Sequence, residues 1–434
     1  MKTGTMGSGR LGRFVVVLGA LSLGVLVTGC EEECVDQTDC ANKQGAPAEG
    51  KRYECVDNRC VQRDIADAGT DAGNDAGTDA GTDAGTDAGT DAGTDAGTDA
   101  GVTCTNLPHD VKLGTLQLQT GFVAAESVTL PDGIGAVTAV RSGSDFKLYG
   151  FNGADDSLYA LGTWPVIASS TTPLQAVIPE ADMGAFPSGY LTNDGTRLLT
   201  GYTKGEAGFP GKVLVYDTVT PAETSYVSAA GNFSAAAVPG AFLINGVGIQ
   251  DVAEGGNAIY ALRTDTKPFQ GSKLATFPVS GAFSGYSAVT SDNVAVLGYA
   301  ASDTSTSDPW DSINYLTAVA PAVYSPAITG GTTFALTNPN AIEIFARNDL
   351  QGVAGFGKGV ALHRGSYTAT KEVSRIELTL GGITPSTVTA GDLTPVLTTS
   401  NTCTNVVTMA PMGEDLLVGV KDKNGRRLVR LQQR

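Results

Sequence analysis

Seven cysteines and two histidines are the side chains that most narrow the chemistry open to this 434-residue sequence. A thiol can be acylated, can pair in a disulfide or, as thiolate, can hold a metal. Cys30 stands at the end of an apolar run, Cys34, Cys40, Cys55 and Cys60 crowd together, and Cys104 and Cys403 lie far apart. His109 and His363, the only imidazoles, exclude a metal centre resting on several histidines, and a Ser-His-Asp arrangement would have to use one of them. Neither sits in a motif. His109 lies in Asn106-Leu-Pro-His-Asp110 and His363 between Val360-Ala-Leu362 and Arg364, so each reads as a structural or surface residue. Gly355-Phe-Gly-Lys-Gly359 lacks the order of a phosphate loop and has no helix behind it, and reads as a turn. Asp303, Asp308 and Asp311, with Trp310 between the last two, depart from calcium-loop spacing and read as a solvated insertion, with calcium or a sugar as the rival. Gly-x-Ser-x-Gly is absent.

The context of Cys30 is the most informative. Lys2, Arg10 and Arg13, with no acid among them, precede Phe14-Val-Val-Val-Leu-Gly-Ala-Leu-Ser-Leu-Gly-Val-Leu-Val27. That order is a signal peptide's, here residues 1–29. A run of roughly 14 residues makes about 21 Å of helix, short of the roughly 30 Å hydrocarbon core, so it is a poor permanent span. The separated arginines favour general secretion over the twin-arginine route. Val27-Thr28-Gly29-Cys30 resembles the lipobox of bacterial lipoproteins. The resemblance implies acylation of the Cys30 thiol, cleavage before it and acylation of the new amino terminus, making residues 30–33 a lipid anchor. Several acyl chains at about 0.8 kcal/mol per buried CH₂ exceed what one chain supplies for stable anchoring. Ordinary cleavage with Cys30 in a disulfide is the alternative, but seven thiols are odd in number and lipid on Cys30 leaves six to pair. Glu31, Glu32 and Glu33 then read as a sorting signal, with the outer membrane expected, surface exposure an option, and retention at the inner membrane the alternative.

Three zones follow. Residues 34–63 read as a small disulfide knot, Cys34-x5-Cys40-x14-Cys55-x4-Cys60, too short to fold on apolar burial alone. Three pairings are open, and a four-thiolate zinc site is the rival. Residues 64–101 repeat Asp-Ala-Gly-Thr from Asp67 to Gly101 with Asn74 once replacing Thr. Gly and like charges oppose helix, strand and collapse, so the segment is expected to be a disordered tether with an r.m.s. span of roughly 30–35 Å. Calcium on the Asp ladder is the weaker reading, because single carboxylates on a loose chain converge badly. The short Cys-rich unit and the Asp-Ala-Gly spacer resemble those of myxobacterial-type surface lipoproteins. That likeness covers about the first quarter of the chain and implies location rather than activity.

Residues 102–434 must position whatever chemistry remains. They are short β-rich runs broken by Gly, Asn and Asp, as in Ala136-Val-Thr-Ala-Val140, Phe146-Lys-Leu-Tyr-Gly-Phe151 and Ser157-Leu-Tyr-Ala-Leu161, which predict consecutive hairpins. Strand sets return about every 45–55 residues, the spacing of propeller blades. The expected fold is all-β: a propeller of six or seven blades, six favoured, starting near Phe122, Ile167, Phe233, Gly281, Thr332 and Ile383. A pair of β-sandwiches is the alternative. Closure would pair Leu113-Gly-Thr-Leu-Gln-Leu118 into the final blade, with a Cys104–Cys403 disulfide locking the seam and two free buried thiols as the alternative.

The net charge of −17, or −20 without the three basic residues of the signal peptide, argues against nucleic acid and anionic lipid surfaces as partners. The expected function is a non-enzymatic surface module, joined to the membrane by lipid, that binds a protein or glycan through loops and needs no cofactor. The alternative is a propeller enzyme such as a lactonase, glycosidase or quinone-dependent dehydrogenase. That reading requires acids such as Glu126, Asp251, Glu343 and Asp415 to converge with Arg or His at one channel mouth.

Overall fold

In a computed structural model of the chain, the residues described are 51–56, 59–64, 104, 107–168, 172–250, 252–277, 283–302, 312–336, 341–346, 350–364, 372–381, 387–399, 401 and 403–434. Two compact units are distinguished, Met1–Gly101 and Val102–Arg434. Within the first, Lys51–Val56 and Arg59–Asp64 form an antiparallel hairpin in which Cys55 and Cys60 hold opposing register positions. Cys30, Cys34, Cys40 and the Asp-Ala-Gly-Thr repeat lie outside the described residues.

The second unit is all-β, built from antiparallel meanders that we number I to VI in chain order. Meander I comprises Ile134–Ser142, Asp145–Asn152, Ser157–Thr163 and Val166–Ile167. Meander II comprises Thr192–Asn193, Arg197–Thr203, Gly211–Asp217 and Ser225–Ala230. Ser234–Val238, Ala241–Ile249, Val252–Arg263 and Gln270–Thr276 make III, which runs on from II through the pairs Ala229↔Ile249 and Ala230↔Gly248. Meander IV is Phe283–Val289, Ala295–Ser302, Ser312–Val319 and Ala341–Ala346. In V, Leu350–Phe356, Gly359–Arg364, Glu372–Leu380 and Val388–Thr398 follow one another. The last, VI, joins Asn405–Met412, Asp415–Asp422 and Gly425–Gln433 to a strand from far upstream, Phe122–Thr129.

Side chains alternate between the two faces of a strand, and here both faces are covered, so the strands read as continuous apolar runs. Leu198 and Leu214 face meander I, packing with Ala136, Tyr149 and Leu158. Their neighbours Leu199, Val213 and Val215 face meander III, packing with Phe242, Ile244 and Tyr260. Further cores lie between III and IV around Leu243, Ile259 and Leu297, and between IV and V around Val296, Val360 and Ile376. Others join V to VI around Phe356, Val373 and Val418, and VI back to I around Leu417, Leu428, Val137 and Leu148. Each meander thus touches two neighbours, and their first strands pack side by side in a closed circle. This is a propeller-like arrangement; two stacked sandwiches would not close in this way.

The closure differs from the sequence expectation. Phe122–Thr129, not Leu113–Leu118, completes the last meander, running from Phe122↔Gln433 to Thr129↔Arg427. Gln117–Leu118 instead extends V, through Leu118↔Leu397, and Leu113 and Leu116 fill the core between V and VI. Consequently the first meander begins at Ile134 rather than near Phe122. Ile167 ends meander I, paired with Gly162, instead of opening the next. Thr332 follows a helix, Pro321–Gly330, that tucks Tyr324, Ala327 and Ile328 into the core between III and IV, which delays the next first strand to Leu350. The starts expected near Phe233 and Gly281 fall beside Ser234 and Phe283, whereas position 383 falls between the third and fourth strands of V and the last meander opens only at Asn405; Gly281 and Ile383 themselves lie outside the described residues.

Candidate functional site

The six first strands wall a central cavity of about 500 Å³. Small residues such as Ala136, Ala235, Gly285, Gly352 and Ala410 keep it open, because bulky inner side chains would fill an axis this narrow. Val289, Gly355 and Pro411, near the ends of three first strands, meet at one end, so these strands run parallel to one another. The opposite mouth, where the first strands begin, is bordered by Ser188, Phe233, Gln351 and Val406.

The wall carries many polar groups. Buried Asn232 has its carboxamide filled: Ser188 Oγ donates to Oδ1 at 2.6 Å and Tyr190 OH at 3.2 Å, while Nδ2 donates to the carbonyls of Tyr202 and Ala229, both at 2.9 Å. Burial pushes the Tyr190 phenol far above its ordinary range, so it stays a donor. Asn193 Nδ2 donates to Thr138 Oγ1 at 2.6 Å, tying II to I, and the hydroxyls of Ser234 and Ser287 meet at 3.1 Å between III and IV. Among the described residues the lining contains no Asp, Glu, Lys or Arg.

Charged groups are paired away from this wall. Asp182 accepts from Tyr202 OH at 2.5 Å and Lys212 Nζ at 3.0 Å, and lies 2.8 Å from Lys204 Nζ. Lys204, Tyr202 and Lys212 together hold its carboxyl well below the usual range. This cluster braces both strands flanking the loop 204–210.

That loop carries a feature with no sequence motif. Phe209 sits at φ +48°, a left-handed backbone that costs a bulky residue about 1–3 kcal/mol, and its side chain is 49 % exposed. The strain is held in place by Phe209 N–H donating to the Glu206 carbonyl at 2.9 Å and by Gly231 N–H donating to the Phe209 carbonyl at 2.7 Å. Its ring meets Phe233 of the cavity wall edge-on, centroids 6.1 Å apart at 70°. Phe186, 63 % exposed and two residues before Ser188, lies over the same loop, where a Cβ on Gly205 would meet its ring at 3.4 Å. The signal in the sequence is weak: Gly208-Phe209-Pro210 punctuates a turn but does not announce a ring aimed at solvent.

The residues singled out from sequence are dispersed. Cys104 and Cys403 form a disulfide, Cα atoms 5.5 Å apart. Glu126 and Asp415 do come together, but on Arg430 at the rim of meander VI rather than in the cavity: Arg430 donates to Asp415 Oδ2 at 2.6 Å and to Glu126 Oε2 at 3.3 Å. The Trp164 indole N–H at 2.8 Å, outweighing burial and helped by Arg430, holds Glu126 below the usual carboxylate range. Asp251, Asp303, Asp308, Trp310 and Asp311 lie outside the described residues, and Glu343 occupies the register position opposite Tyr315. His363 lines the cavity from the second strand of V, whereas His109 belongs to the closing seam beside Asp422. Gly357-Lys358 is the turn of a hairpin, as its glycines suggest. Among the described residues no three potential ligands gather to hold a metal, and no helix is long and apolar enough to cross a membrane.

No protein-family model and no curated protein matches this chain. Among solved structures it is similar to the Cps50 (Swd1) β-propeller domain of Myceliophteria thermophila, at 11 % identity and TM-score 0.37 over 71 % of this chain and 99 % of that one. It is also similar to the SapL1 lectin in complex with α-methyl fucoside, at 9 % identity and TM-score 0.36 over 67 % and 89 %. A mutant α-L-arabinanase of Cellvibrio cellulosa is similar at 12 % identity and TM-score 0.32 over 62 % and 96 %. At these scores the fold description rests on the strand pairing and the closed circle of cores.

Proposed function

We propose that this chain is a lipid-anchored envelope protein whose second unit is a six-bladed propeller acting as a binding module, reached at the mouth where the first strands begin. Meanders I to VI are the blades, with Phe122–Thr129 as the borrowed outer strand of the sixth. The observation that carries the reading is a central cavity lined by no Asp, Glu, Lys or Arg among the described residues, with His363 as its one imidazole. General acid–base work needs ionisable groups aimed at a reacting atom. Here the cavity wall offers hydroxyls, carboxamides, backbone and the single imidazole of His363, with no carboxylate beside it in the lining, while Glu126, Asp182, Asp415 and Asp422 are committed to ion pairs on the blades. The anchor and spacer read from residues 30–101 supply the display.

The test is photo-crosslinking in intact cells with the full chain, placing the reactive residue at exposed Gln351 on the cavity wall or at exposed Val219 elsewhere. Adducts at position 351 and none at 219 are expected. Equal adducts at both, or none at 351 together with turnover of glycoside or lactone substrates by the purified chain, would replace the binding module with the alternative.

A further inference from the structure

We propose that Phe209 and Phe186 form a stacking platform for a neutral saccharide at this mouth of the cavity; the proposal rests on the binding-module reading and names its ligand class. Two features of Phe209 need a common explanation. Its backbone adopts the region that suits glycine, and its ring is half exposed, so the position is unfavourable for folding on both counts. Yet the ring is not loose, because it is propped edge-on against Phe233, itself part of the cavity wall. Phe186 lies over Gly205 of the same loop, giving a second exposed ring at the same rim.

The chemistry beside the rings selects among ligands. A purely apolar segment would strip water from Ser188, Gln351 and Thr408 without replacing its hydrogen bonds. A charged ligand would find no Asp, Glu, Lys or Arg in the described cavity lining, and Lys204 and Lys212 beside the loop are already held by Asp182. A sugar ring offers a face of C–H bonds to an aromatic side chain and a perimeter of hydroxyls to neutral donors and acceptors, which matches both halves of the site. The cavity volume of about 500 Å³ falls within the usual span for small-ligand sites, roughly 300–1,000 Å³. Asp182, tying Lys204 and Lys212 on either side of the loop, holds the platform in place rather than touching the ligand.

The experiment uses the purified full chain on an array of neutral hexose and N-acetylhexosamine oligosaccharides, with sulfated and sialylated glycans alongside, followed by calorimetric titration of the best binder. Retention of neutral glycans is expected. Phe209→Gly should weaken binding about five- to tenfold while leaving the melting temperature unchanged or raised, since glycine relieves the backbone strain; a merely structural Phe209 would instead lower it. Phe209→Trp should bind as wild type. Preference for charged glycans, a blank array, or full binding by Phe209→Gly overturns the proposal. A blank array with specific crosslinking at position 351 overturns the saccharide alone, whereas failure of both removes the binding module too.

Discussion

His109 Nε2 lies 2.7 Å from the Asp422 carboxylate, 313 residues further along the chain. Arg427 closes on the same carboxylate through both terminal nitrogens, at 3.0 and 2.6 Å, and donates through Nε to the Lys112 carbonyl at 3.0 Å. The segment leading into the fold is thereby stitched to the final blade, and Lys112 Nζ continues the seam by donating to the carbonyls of Ala124 and Ala125 at 2.7 and 2.6 Å.

The Asp422 side chain is 1 % exposed, and its loss leaves the Arg427 guanidinium without its carboxylate partner. Asp422→Ala should cost about 3 kcal/mol in urea unfolding. Burial opposes the charge of Asp422, but Arg427, the Asn424 N–H and His109 outweigh it and hold the carboxyl down from the ordinary 3.8 to about 2. A depressed carboxylate contributes stability that is full above its unfolded value and lost as pH falls through the folded one. The advantage of wild type over Asp422→Asn should therefore be constant above about pH 5 and shrink toward pH 2. A gap that does not change with pH would contradict this.

The Cys104–Cys403 disulfide spans 299 residues and constrains the unfolded chain accordingly. The Cys104→Ser, Cys403→Ser double variant should lose about 2–4 kcal/mol in denaturant unfolding, with the folded fluorescence spectrum unchanged. An unaltered midpoint would show that the seam is held by its ion pairs alone.

Gly285 and Gly135 both line the cavity but differ in what stands behind them. A Cβ at Gly285 would fall 1.4 Å from Asn245 Nδ2, between blades III and IV, whereas one at Gly135 meets nothing within 4 Å. Gly285→Ala should destabilise the chain by about 1–3 kcal/mol through overpacking, and Gly135→Ala by less than about 0.5 kcal/mol. Calorimetric melting of both variants separates them, and equal shifts would mean that the blade contact is not close-packed.

The regular part of this fold was legible in the residues. The three hairpin strands from Ile134 to Thr163 announce themselves by apolar runs and Ser-Gly or Asn-Gly turns, and the return of such sets signals a circular repeat, although of the six expected starts only those near Phe233 and Gly281 fall beside first strands. The choice of closing strand was not legible. Leu113–Leu118 and Phe122–Thr129 both carry apolar residues enough for a strand, and only three-dimensional register with Gly425–Gln433 decides between them. The helix Pro321–Gly330 has proline in its first turn and glycine just past its end, yet Pro326 stands inside it and it interrupts a β-rich pattern, so the residues alone do not announce it. The second strands of five of the six meanders also share an interior glycine, Gly150, Gly201, Gly246, Gly298 and Gly419, a repeat mark stronger than the spacing.

The candidate site was far less legible, because nothing in it is a motif. Its wall is made of common small residues whose meaning comes from circular closure. Phe209 stands out only once its backbone angle and exposure are known. The acids that sequence reasoning put forward were titratable and therefore conspicuous, but Glu126 and Asp415 serve Arg430 and the stability of the last blade.

In the proposed function, display outside the cytoplasm would depend on lipid at Cys30, and labelling with a clickable palmitate analogue, followed by fractionation, tests that proposal. Wild type should take the label and sediment with membranes, while Cys30→Ala should lose both properties. Unlabelled wild type, or a Cys30→Ala chain that stays equally membrane-bound, would contradict the account.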